Sequence, residues 1–108
     1  MSFWKRAKRS WKDGGILGRI HGQPVRYAAR REEDDTGTVV ETVLGKDGRI
    51  NVNEEDLVVM CNGHEVFRCR AQEASCSELL SLDGVVIKGI NACTGLEDTV
   101  VAYYKYYR

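Results

Sequence analysis

The chain has 108 residues, of which 43% are hydrophobic and one is proline; that is the size and make-up of one packed domain and excludes a disordered or Pro-rich linker protein. Its 16 basic and 16 acidic side chains cancel, which argues against a domain whose whole surface tracks nucleic acid. The balance is uneven: residues 1–12 hold Lys5, Arg6, Lys8, Arg9 and Lys12 and no acid, so a basic arm precedes a mildly acidic body.

In chain order, residues 1–15 read as a basic aromatic N-terminal arm or short helix. Phe3, Trp4, Ala7 and Trp11 share one helical face, and Asp13-Gly14-Gly15 breaks it. The arm resembles a mitochondrial presequence in being basic and acid-free, but it is short and Asp13 ends it. Residues 16–108 read as a single β domain. Ile16 to Ile20 and Val25 to Arg31 are taken as short strands around a turn at His21-Gly22-Gln23-Pro24. The polar stretch from Glu32 to Gly37 is a solvated loop. Thr38 to Leu44 and Arg49 to Asn53 pair across a turn at Gly45-Lys46-Asp47-Gly48, with Val39, Val43, Ile50 and Val52 on one face.

Leu57 to Cys61 and His64 to Cys69 flank Asn62-Gly63, a pair suited to a type I′ hairpin turn. A regular ladder from that turn sets Cys61 opposite His64, Val59 opposite Val66 and Val58 opposite Phe67. With apolar residues on both faces, this hairpin is expected at the centre of the sheet. Residues 72–82 fit either a helical turn or a strand. Val85 to Asn91 is a strand, Ala92 to Asp98 a loop, and Thr99 to Tyr107 an aromatic final strand. Val100, Ala102, Tyr104 and Tyr106 are assigned to its core face. Seven to nine short strands at this spacing predict a mainly β fold, either a small barrel of SH3-like or similar type or a compact antiparallel sandwich.

Several constellations are candidates for chemistry. Cys61, His64, Cys69 and Cys76 have two ligands spaced around a tight turn, as zinc requires. The order and gaps do not match a zinc knuckle, and a regular ladder turns Cys69 away from Cys61, so no metal is expected. Neither a Walker A pattern, a dinucleotide fingerprint nor a G-x-S-x-G motif is present, and the acidic runs Glu32–Asp35 and Glu54–Asp56 read as solvated loops. No enzyme activity and no cofactor is expected. The candidate binding residues are Trp4, Lys5, Arg6, Lys8, Arg9 and Trp11 in the arm, and Tyr103, Lys105 and Tyr107 as an exposed stripe on the last strand.

The expected function is that of a non-enzymatic binding module whose partner is another protein. The alternative is a nucleic-acid or ribonucleoprotein accessory domain using residues 1–12 and the tyrosine-rich strand, where aromatics between cations suit base stacking. A small enzyme is the second alternative. A homo-oligomer through the C-terminal strand is a further expectation, because an aromatic terminal strand left as a bare edge invites pairing. With no secretory h-region, no membrane helix and four cysteines read as reduced thiols, the expected compartment is the cytoplasm.

Overall fold

The computed structural model describes residues 15–105. They form a mainly β structure with one short helix, α1 (Ile16–Ile20), and seven strands: β1 (Pro24–Glu33), β2 (Val39–Val52), β3 (Asp56–Cys61), β4 (His64–Arg70), β5 (Ser75–Glu78), β6 (Gly84–Ile90) and β7 (Glu97–Tyr104). All seven belong to one antiparallel sheet in the order β4-β3-β2-β1-β7-β6-β5. The strands therefore make neither two packed sheets nor a closed barrel. β4 and β5 stand at opposite ends of the order, and β5 offers only four residues to any closing ladder. The sheet nevertheless curls, bringing the loop after β6 against β4, where the Ala92 amide donates to the Arg68 carbonyl at 2.9 Å. Ile20, Ile50, Leu57, Val59, Phe67, Val85, Ile87, Val100 and Ala102 fill the concave side.

Residues 16–20 are helical, not a strand. Leu17 and Ile20 are both buried, and a spacing of three puts them on one helical face but on opposite faces of a strand. His21 then fastens the turn, its Nδ1 accepting the Val52 amide at 2.8 Å. The predicted turn at Gly45-Lys46-Asp47-Gly48 is likewise absent, for β2 runs through it as one strand of 14 residues. The glycines serve close approach. A Cβ on Gly48 would lie 1.6 Å from the Met60 carbonyl oxygen, and one on Gly45 would lie 2.6 Å from Cys61 Cβ. Because β2 does not fold back, Val39 and Val43 do not join Ile50 and Val52 in the core but remain exposed. The Glu32–Gly37 loop is shorter than expected, since Glu32 and Glu33 pair with Val40 and Val39.

The Asn62-Gly63 turn forms as expected, with φ of 51° and 77° and Cys61 opposite His64. A bulge between Val59 and Met60 then shifts the ladder, so that Val59 faces Phe67, Val58 faces Arg68 and Cys69 faces Leu57. Phe67 and Cys69 thereby enter the core, while Arg68 pairs with Asp56 and Glu65. The hairpin is not central: β4 is an edge strand. Residues 72–82 resolve into the end of a 3-10 turn (Ala71–Glu73), strand β5 and a loop. On β7 Val100, Ala102 and Tyr104 of the expected core face are buried, Tyr106 lies outside the described residues, and Val101 on the other face is buried as well. β7 is hydrogen-bonded by β1 on one side and β6 on the other, so it is no bare edge.

Candidate functional site

The far half of the β1–β2 hairpin reaches beyond its neighbours. β3 meets β2 only from Gly48 to Val52, and the Asn62 amide reaches Asp47, which leaves Val39 to Lys46 with one edge unpaired among the described residues. Backbone groups alternate in direction along a strand, so this edge turns a row of N–H and C=O groups outward. The side chains beside it are apolar: Val39, Val40 and Val43 are each about half exposed. At the end of the edge, where the Asn62 amide donates to the Asp47 carbonyl at 2.9 Å, lies a pocket of about 470 Å³ lined by Leu44, Lys46, Asp47, Cys61, His64 and Val66. Gly45 lacks the side chain that would crowd it.

The convex face of the same hairpin carries an aromatic and ionic cluster. The Tyr27 and Tyr103 rings stack with centroids 4.6 Å apart, and the Arg26 guanidinium lies 5.5 Å from the Tyr27 centroid. The Tyr103 hydroxyl donates to Glu41 at 3.1 Å, and Arg31 holds the same carboxylate at 2.8 Å. Burial, and then the neighbouring Glu41 carboxylate, push the Tyr103 phenol upward, so it stays a donor across the neutral range.

Of the sequence-predicted site residues, Tyr103 lies in this cluster and Lys105 is exposed just beyond it. Trp4, Lys5, Arg6, Lys8, Arg9, Trp11 and Tyr107 lie outside the described residues. Tyr27, Arg31 and Glu41 went unassigned because their meeting with Tyr103 depends on β1 lying between β2 and β7, a pairing no local pattern announces. Cys61 and Cys69 share the inner face, which removes the mismatch that counted against a metal. Even so, no group of three or more His, Cys, Asp or Glu side chains among the described residues is arranged to hold an ion. Burial raises the Cys61 thiol and pushes Cys69 and Cys76 up to about 11 and about 12, so these groups are poor nucleophiles at neutral pH.

The acidic runs are structural. Asp34 accepts from the Thr36 hydroxyl and from the Thr36 and Thr38 amides, and these bonds lower its pKa. Asn53 Oδ1 caps the second run, accepting the Glu55 and Asp56 amides. Among the described residues no helix is long and apolar enough to cross a membrane. Compared with protein-family models, curated proteins and solved structures, the chain shows no match.

Proposed function

We propose that this chain is a non-enzymatic binding module that captures an extended segment of another protein along the free edge of β2. The observation that supports it is the stretch from Val39 to Lys46, unpaired on one edge among the described residues and flanked by half-exposed valines. Strand addition at such an edge draws affinity from main-chain hydrogen bonds and selectivity from pockets for alternate side chains. The pocket bounded by Leu44, Cys61 and His64 lies at the end of that track and suits one apolar side chain of the captured segment. Val40→Lys with Val43→Lys places charge on exposed positions, so the fold is retained while the edge is blunted. Immobilised chain from the native source should retain a partner that this double variant loses, and the amides of residues 39–46 should gain exchange protection with it bound. Retention of the same proteins by both forms would refute the reading.

A second reading is supported by the Tyr27–Tyr103 stack and Arg26, a combination that suits contact with a single-stranded nucleic acid. Its mark is binding of a 20-nucleotide single-stranded RNA that weakens steeply with salt and with Tyr27→Ala.

A further inference from the structure

An open strand edge invites pairing with any extended chain, and proteins blunt such edges with charge, shortness or cover. The free edges of this sheet differ in that protection. β4 carries His64, Glu65, Arg68 and Arg70, and the Ala92 amide from the loop after β6 takes the Arg68 carbonyl at 2.9 Å. β5 has only four residues. Among the described residues β2 alone offers a long run without such protection. From Val39 to Gly45 its one charged side chain is Glu41, which Arg31 and Tyr103 hold on the convex face. The run has a fixed length. Beyond Lys46 the Asn62 amide takes the Asp47 carbonyl and β3 continues along the same edge, so an added strand has to stop at the Asn62-Gly63 turn.

A strand of this length is what the same edge of a second copy supplies. Turned antiparallel about a two-fold axis at Thr42, two copies set Thr42 opposite itself, Glu41 opposite Val43, Val40 opposite Leu44 and Val39 opposite Gly45. Opposed residues have to share a face. Leu44 is the extra residue of the bulge against β1, and the pairing runs past it only at Gly45, which has no side chain to misplace. The adjacent registers are worse. An axis at Glu41 brings two carboxylates face to face, and an axis at Val43 sets Val40 against Lys46 across the bulge. The ends of the edge also differ in charge. Glu32, Glu33, Asp34 and Asp35 are exposed where β2 begins, and Lys46 is exposed where the free edge ends. Antiparallel pairing lays each acidic run beside the other copy's Lys46, whereas parallel pairing would put the two acidic runs side by side.

We propose that this chain self-associates through the Val39–Gly45 edge, β2 pairing antiparallel with β2 of a second copy to make one continuous sheet. Self-pairing rests on the reading above in one respect, that this edge is open to an added strand, and it is the state of the edge when no other strand is bound. Both occupants use the same outward N–H and C=O groups, so self-pairing and capture of another protein's segment exclude each other. In the pair, Val40, half exposed in the single chain, covers Leu44, which packs against the core. One strand pair buries little area, so the dimer is weak and reversible.

Sedimentation of the full chain over a concentration series should show a monomer–dimer equilibrium. Thr42 is exposed, so Thr42→Lys and Thr42→Glu should both keep the thermal transition. Each variant alone sets like charges face to face on the axis and should weaken dimerisation roughly threefold or more. An equimolar mixture of the two sets opposite charges there and should restore dimerisation. That rescue belongs to self-pairing, because a segment of another protein brings no second Thr42 to the axis. A chain that sediments as a monomer at every concentration, a dimer indifferent to both variants, or a mixture that dimerises no better than its components would each overturn the proposal and leave capture of another protein's segment standing. Dimerisation with charge rescue, joined to an immobilised chain that retains no partner, would instead remove the capture reading and support this one.

Discussion

Tyr103 and Tyr104 are neighbours whose side chains belong to opposite faces of β7. Tyr104 is buried at the rim of the core, while Tyr103 lies half-exposed against Tyr27 and Glu41. Truncating a large buried aromatic removes both its transfer energy and its packing, so Tyr104→Ala should lower stability by about 3 kcal/mol. Tyr103→Ala should cost clearly less in chemical denaturation, and the reverse ranking would mean that the faces are exchanged. Leu82 offers the opposite case. Leu82→Gly relieves the left-handed strain and gives up little burial, so it should raise stability by ~0.5–1 kcal/mol. A loss of stability in chemical denaturation would mean that the half-exposed leucine contributes packing that outweighs the strain.

Among the elements, the β3–β4 hairpin was the most legible in the sequence, because Asn62-Gly63 specifies positive φ at two adjacent residues and little else satisfies that turn. Gly63→Val should therefore destabilise by at least ~1 kcal/mol, read as a shift in the denaturation midpoint. The bulge three residues from the turn was not legible. It follows from Phe67 and Cys69 both being required inside, opposite Val59 and Leu57, and the demand comes from strands distant in sequence. The same limit hid the continuity of β2. Two glycines around Lys-Asp read locally as a turn, whereas here they admit the backbone of β3 at Gly48 and the side chain of Cys61 at Gly45. Alternation did reveal the core face of β7, since both its neighbours pair in register over Val100 to Ala102. The free edge of β2 could not be read from the chain, because an edge is defined by the absence of a neighbour.

At the scale of the whole molecule, the open sheet must seal the side where its two ends approach without a ladder to join them. Thiols and glycine fill that seam. A Cβ on Gly89 of β6 would lie 2.9 Å from the Cys69 Sγ of β4, so a residue without a side chain receives the thiol. Cys76 of β5 packs against the same core. Each thiol is raised first by burial, Cys69 further by Asp56 and Glu73 and Cys76 further by Cys69, to about 11 and about 12 against an ordinary 9.0. The folded chain thus keeps protons that the unfolded chain releases. Linkage then fixes the sign: this stability is fully present below pH 9 and is lost as pH rises toward the folded values. Under reducing conditions the thermal midpoint should fall progressively from about pH 9 toward about pH 11 and pH 12, the interval set by the ordinary thiol and by the shifted Cys69 and Cys76. Tyrosines and lysines ionise in the same range, so the slope has to be compared with that of Cys69→Ala/Cys76→Ala. The double variant should start lower at neutral pH, having lost one buried and one partly buried sulfur, and should decline more gently in alkali. An equal alkaline slope in both proteins would mean that the thiols do not ionise at the seam, and that its closure depends on the Ala92–Arg68 hydrogen bond and the apolar contacts alone.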